Sequence, residues 1–243
     1  MDVRLIWITE SLFAVGAAMM AACHARRPPD ARGARLDWVK LGVYFALIHA
    51  LLGAAALGRA VAGALFALIV AAGIIESMAV RSKLTGFLSA MPATLLALGL
   101  AHALLAPGAR WFSSFAFLIL VVASTDSFAQ LSGRLWGRRH PFQWVSPNKT
   151  VEGVVGGVAA ATIVALCCGF LTPGLPPLHR VLLGVVTSAA AIAGDLVFSA
   201  VKRRAGIKDF SALIPGHGGV LDRFDSIAIA APAYVWVRAL LLG

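Results

Sequence analysis

Eight apolar runs of about 20 residues each constrain this sequence more than anything else in it. They lie near residues 5–23, 38–57, 60–80, 87–106, 112–131, 153–172, 178–201 and 224–242. A run of this length crosses the hydrocarbon core of a bilayer when it is helical. Hydrocarbon offers backbone N–H and C=O groups no partners, so a crossing segment must bond within itself or close into a barrel. Barrel strands alternate apolar and polar residues, and these runs do not. The expected fold is therefore all-α. It is a polytopic integral membrane protein of about eight transmembrane helices, forming one membrane domain over residues 1–243. Only 13% of the residues are charged, against about 25% in soluble domains. Most of the surface must then meet something other than water.

The links between runs set an expected orientation. Links 24–37, 81–86, 132–152 and 202–223 carry four, two, four and five Lys/Arg residues, while the alternate links carry Arg59, Arg110 and none. The positive-inside rule puts the rich links in the cytoplasm and both termini on the non-cytoplasmic side. The formal net charge of +10 is mostly this bias, and it also suits anionic headgroups and nucleotide phosphates. No soluble basic domain or recognition motif points to nucleic acid. Met20-Ala21-Ala22-Cys23 is faintly like a lipoprotein cleavage site, but Arg26 and Arg27 follow at once. That bias favours an uncleaved first helix. Cys23, Cys167 and Cys168 show no metal-ligand spacing and are expected to be small apolar residues.

The two halves differ in chemistry. Residues 1–111 are apolar runs with short links; residues 112–243 hold nearly all the clustered polar groups. Glu10, Glu76, His49 and His102 lie within runs of the first half. Glu10 and Glu76 sit near run ends, where snorkelling to the interface suffices.

In the second half, Asp195, Ser199 and Lys202 are spaced i, i+4, i+7 and share one helix face. Asp195 lies about 10 Å below Lys202 along the axis. A carboxylate at that depth needs a partner, and Lys202 or a metal ion are the candidates. Asp222 and Asp225 open the last run at i, i+3; capping explains either alone. With Asp195 they suggest divalent-metal coordination, since Mg²⁺ takes one or two carboxylates and borrows water and phosphate oxygens. Pro215-Gly216-His217-Gly218-Gly219 is a side-chain-poor bend whose N–H groups suit phosphate. Ser146-Pro147-Asn148-Lys149-Thr150 precedes the sixth run; Ser146 or Thr150 suits a cap, with Glu152 in the first turn. The functional alternative is a helix N-terminus plus Lys149 gripping phosphate. Asp126 is placed like Asp195 and is expected to face the same polar cavity.

Ser199, Lys202-Arg203, Lys208-Asp209, Ser211, Ile214-Pro215, His217-Gly218-Gly219-Val220 and Asp222-Arg223-Phe224-Asp225 together resemble the signature of the phosphatidate cytidylyltransferase (CDP-diacylglycerol synthase) family. Asp126-Ser127, Gly133, Gly137-Arg138 and the 146–153 segment resemble its upstream motif. The likeness covers roughly residues 120–230. It departs at Phe128 and Gln130, where the family usually has a glycine and an aromatic residue, and the chain is somewhat short. These departures bear on lipid specificity more than on reaction type.

The resemblance implies transfer of CMP from CTP to phosphatidic acid, giving CDP-diacylglycerol and pyrophosphate, with Mg²⁺ required and a second cation conceivable. It implies a bacterial inner-membrane enzyme whose site opens to cytoplasm and lipid, often as a homodimer. It maps metal binding onto Asp195 and Asp222. Lys202, Arg203, Lys208, Asp209, His217, Arg223 and Asp225 are the expected catalytic groups. Asp126, Ser146, Asn148, Lys149, Thr150, Glu152, Ser199, Gly218 and Gly219 are the expected substrate contacts. Competing readings are a CTP-dependent lipid kinase and a non-catalytic binder or transporter of anionic lipid.

Overall fold

A computed structural model describes residues 2–80, 83, 87–105, 111–214 and 218–242. Among these residues eight α-helices form: α1 (Val3–Arg26), α2 (Ala31–Leu57), α3 (Arg59–Ala79), α4 (Phe87–Leu105), α5 (Trp111–Trp136), α6 (Val151–Cys167), α7 (Pro177–Arg204) and α8 (Leu221–Leu242). The described residues hold no strand, only an isolated bridge between Ile214 and Gly218. Each helix covers one of the eight apolar runs. Local chemistry fixes the starts. The side chains of Asp2, Asp30 and Thr150 accept from the N–H of Arg4, Gly33 and Gly153, and Pro177 opens α7 with its φ already set. The Asp30 cap lets α2 begin seven residues before the apolar run does, through Arg32 and Arg35. Hydropathy cannot register that polar turn. At the other limit, the sixth run leaves α6 at Cys167 and tightens into a 3₁₀ turn at Gly169–Leu171.

Six of the helices are long and apolar enough to cross a membrane; the apolar parts of α4 and α6, Leu88–Ala103 and Val151–Cys167, are shorter. The chain is an integral membrane protein. Helix α5 is its axis, packed against α1, α2, α6, α7 and α8. Over its most apolar stretch 72% of residues are buried, against 22% in α1 and α2. Small residues allow the tightest crossings, as expected where lipid gives no drive for helix association. A Cβ on Gly157 of α6 would stand 2.7 Å from the Thr125 carbonyl oxygen of α5. One on Gly194 of α7 would stand 2.6 Å from the Asp225 carbonyl oxygen of α8. The second crossing brings Asp195 beside Asp225. Buried hydroxyls on α5 bond back into their own helix, Ser124 to the Leu120 carbonyl and Thr125 to that of Val121. Thr125 also reaches Ser188 of α7 at 3.0 Å.

The C-terminal ends of α1, α3, α5 and α7 gather at one end of the bundle. Arg26 at the end of α1 donates to the Leu135 carbonyl near the end of α5. Glu76 near the end of α3 bonds to the start of α8. Arg203 at the end of α7 donates to the Val145 carbonyl in the α5–α6 link. Arg4, at the start of α1, instead lies over the Phe170 ring in the α6–α7 link, 4.4 Å from its centroid. The chain therefore starts at the opposite end.

Candidate active site

Below the cation-rich end a cavity of about 310 Å³ opens between α1, α2, α5, α7, α8 and the α5–α6 link. Asp126 from α5, Ser146, Asn148, Lys149 and Thr150 from the link, Asp195 and Lys202 from α7, and Asp222, Arg223 and Asp225 from α8 all line it. Asp126 and Asp225, 99 positions apart in sequence, thus meet around one space. Asp126 and Asp195 share it as expected.

The most buried part is the start of α8. Asp222 is 4% exposed. One of its oxygens accepts from Lys202 Nζ at 2.7 Å. The other accepts from the N–H groups of Phe210 and Gly219, both at 2.8 Å. Glu76, also 4% exposed, takes the next two N–H groups, Val220 and Leu221, and the Ser211 hydroxyl at 2.6 Å. Two carboxylates therefore hold the consecutive N–H groups of Gly219, Val220 and Leu221 that lead into α8, in the place the helix dipole favours. Within the glycine bend, Gly219 spends its N–H on Asp222 and has none left for phosphate, while residues 215–217 lie outside the described residues. Glu76 does not snorkel either. It caps a helix that begins 145 residues later.

The cavity charges sort into pairs and leftovers. Lys149 sits 2.7 Å from Asp195, whose other oxygen accepts from Ser199 at 3.2 Å. Lys202 sits 2.7 Å from Asp222. Lys202 therefore serves Asp222 and not Asp195. It stands two turns further along α7 than Asp195, whereas Lys149 approaches Asp195 sideways from the link. Four groups remain. Asp126 and Asp225 have no Lys or Arg within 4.0 Å among the described residues, and the Ser226 hydroxyl lies between them, 3.0 Å from Asp126 and 3.5 Å from Asp225. The Arg223 Nε–H is buried without a hydrogen-bond partner among the described residues. Lys40 of α2, whose neighbour Asp37 stands 3.8 Å away and is shared with Arg134, completes the set.

Buried charge without a partner is costly. The Asp126–Asp225 couple suits a cation, and the free Arg223 donor suits a phosphate oxygen. Among the described residues no group of three or more His, Cys, Asp or Glu side chains could hold a metal ion. A site of two carboxylates completed by water and phosphate is the arrangement Mg²⁺ tolerates.

Several expected site residues lie outside the cavity wall. Arg203 donates to the carbonyls of Val145 and Ile207 and so ties two links together. Glu152 accepts from the N–H groups of Arg138 and Arg139. Ser199 reaches the site only through Asp195. Lys208 and Asp209 are exposed. A Cβ on Gly218 would meet Asp222, and one on Gly219 would meet Glu76, so both glycines make room for carboxylates. His217 lies outside the described residues. Sequence reasoning missed Lys40, Tyr44 and Ser226. The two departures from the family pattern split: Phe128 is buried in α5, while Gln130 faces the cavity.

Fold and site together define a class: a helical membrane protein with a charged cavity, suited to phosphate, at one end of the bundle. More narrowly, the chain belongs to the cytidylyltransferase family, which it matches over residues 3–241. It is similar to the uncharacterized protein YnbB of Escherichia coli, 42% identical over 120 residues. It is 41% identical over 123 residues to a phosphatidate cytidylyltransferase of Haemophilus influenzae, and 38% over 125 residues to one of Bacillus subtilis. These stretches are 49%, 49% and 51% of this chain, and 40%, 43% and 46% of those proteins. The matched stretch is thus less than half the length of each relative.

Proposed function

We propose that the protein transfers CMP from CTP to phosphatidic acid at the cytoplasmic face of a bacterial inner membrane, releasing CDP-diacylglycerol and pyrophosphate. The observation that carries this reading is the charge pattern of the cavity: two lysines held on carboxylates, a free guanidinium donor, and two carboxylates awaiting a cation. Relatives similar to this chain and named for that reaction support it.

Both substrates are anions, so their approach needs neutralisation and alignment more than proton transfer. An oxygen of the lipid phosphate attacks the α-phosphorus in line. The bond from that phosphorus to the bridging oxygen breaks, and its electron pair leaves on pyrophosphate. The attacking oxygen is already ionised, so no general base is required. Lys149 and Arg223 screen the phosphoryl oxygens, and Lys202, held on Asp222, adds positive charge behind them. Asn148, Ser146 and Thr150 supply neutral hydrogen bonds to the nucleotide. Asp195 and Asp222 are the resemblance's metal ligands, and Asp225 with Asp126 offers a place for a second cation. Mg²⁺ would neutralise the pyrophosphate as it leaves.

The test is purified full-length protein in detergent with CTP, Mg²⁺ and phosphatidic acid. Liponucleotide and pyrophosphate in equal amounts, abolished by chelation of Mg²⁺, are the expected products. CDP with a phosphorylated lipid would make the protein a kinase. Lipid binding without turnover would make it a binder.

A further inference from the structure

One wall of the cavity belongs to no motif. Helices α1 and α2 contribute Met20, Lys40, Leu41 and Tyr44 to it. Lys40 and Tyr44 are four residues apart and share a face, with Lys40 about 6 Å nearer the cation-rich end. Lys40 lies at the level of the charged links and Tyr44 one turn deeper.

Lys40 carries charge that the protein does not use. Its only carboxylate neighbour within 4.0 Å among the described residues is Asp37, at 3.8 Å. Asp37 is already held by Arg134 through two bonds, 2.8 and 3.2 Å, and by His24 at 3.1 Å. Arg134 alone balances that carboxylate, so Lys40 can turn away without orphaning it. Lys149 and Lys202 differ, since each is held on a carboxylate at 2.7 Å.

The surroundings of Lys40 are also different in kind. Helices α1 and α2 bring the apolar Met20 and Leu41 to the lining with it, while the 146–150 link brings Ser146, Asn148 and Thr150. The same two helices are the least enclosed by the bundle, and Trp38, Val39 and Phe45 of α2 are exposed next to this wall. A spare cation set among apolar side chains, continuous with a lipid-facing surface, matches a ligand that is half phosphate and half hydrocarbon. It does not match a free nucleotide.

We infer that the α1–α2 wall is the acceptor-lipid side of the cavity, with Lys40 gripping the phosphate monoester of a two-chain glycerolipid and Tyr44 bounding it from below. The 146–150 link is then the nucleotide side. This inference rests on the proposed transferase reading for its kinetic test but not for its binding test.

In mixed micelles, Lys40→Ala should raise KM for phosphatidic acid by about tenfold, the worth of one charge-assisted hydrogen bond. KM for CTP should stay within about twofold, and Lys40→Arg should restore most of the loss. Asn148→Ala should show the opposite split. A Lys40→Ala effect on CTP alone, or on neither substrate, would overturn the assignment. The binding test is native mass spectrometry without CTP, comparing retention of phosphatidic acid with phosphatidylcholine. Wild type should prefer phosphatidic acid, and Lys40→Ala should lose that preference while staying monodisperse. Lysine-dependent binding in a protein that makes no liponucleotide would sink the transferase reading and leave this one standing. Turnover with an unaltered Lys40→Ala variant would do the reverse.

Discussion

Two lysine–aspartate pairs face one cavity at the same 2.7 Å separation, yet their surroundings differ. The Lys202 and Asp222 side chains are 10% and 2% exposed, and Asp222 also holds two backbone N–H groups. The Lys149 and Asp195 side chains are 20% and 32% exposed, and among the described residues the other side-chain bond to Asp195 is from the Ser199 hydroxyl. The first pair is built into the start of α8. The second joins a surface link to a membrane helix and has fewer bonds holding it closed. Equal distance therefore does not mean equal role, because burial and the remaining bonds decide what breaking a pair costs.

The sharpest way to break this comparison is to neutralise each aspartate in turn. Asp222→Asn leaves the buried Lys202 uncompensated and weakens the anchoring of the Phe210 and Gly219 N–H groups. It should cost about 3 kcal/mol or more and reduce turnover at least a hundredfold. Asp195→Asn should lose comparable turnover while its thermal midpoint in detergent barely moves. If the two variants unfold at the same temperature, the division into a frame pair and a working pair is wrong.

A smaller effect is expected at Glu76. Glu76→Gln keeps the shape but replaces one acceptor oxygen with an NH₂ group facing a backbone N–H. A buried donor left unmatched costs about 1–3 kcal/mol, so the thermal midpoint should fall. Turnover should fall less than in either aspartate variant, since Glu76 is not on the cavity wall. Unchanged stability would mean that α8 does not need this cap.

These residues also show what was legible in the sequence. All eight helices were, because hydropathy over about 20 residues is a local signal. So was the placing of the ends of α1, α3, α5 and α7 together, which parity of crossings requires. The Thr150 cap and the shared placement of Asp126 and Asp195 followed from spacing. Glu76 was misjudged because its partners lie 135 to 145 residues away, and no local pattern encodes that distance. The available signal was a lone acid inside an apolar run. Lys40 gave less: a lone cation just inside the second run reads as snorkelling until α2 is seen against α5. Arg203 and Glu152 erred the other way, since their place within a motif suggested substrate while their bonds go to backbone.

Arg203 gives the finest test of that last distinction. Its Nε–H and Nη1–H reach the carbonyls of Val145 and Ile207 at 3.1 and 3.2 Å, and its side chain is exposed. Bonds of this kind contribute on the order of 1 kcal/mol each, a small part of a domain's stability, so Arg203→Ala should still fold. Its loss should loosen the link that carries Ser146, Asn148 and Lys149, raising KM for CTP a few-fold with kcat nearly unchanged. A fall in kcat of about a hundredfold at saturating CTP, the size associated with a lost transition-state donor, would place the guanidinium on the reacting phosphates. The bonds to Val145 and Ile207 would then describe only its resting position.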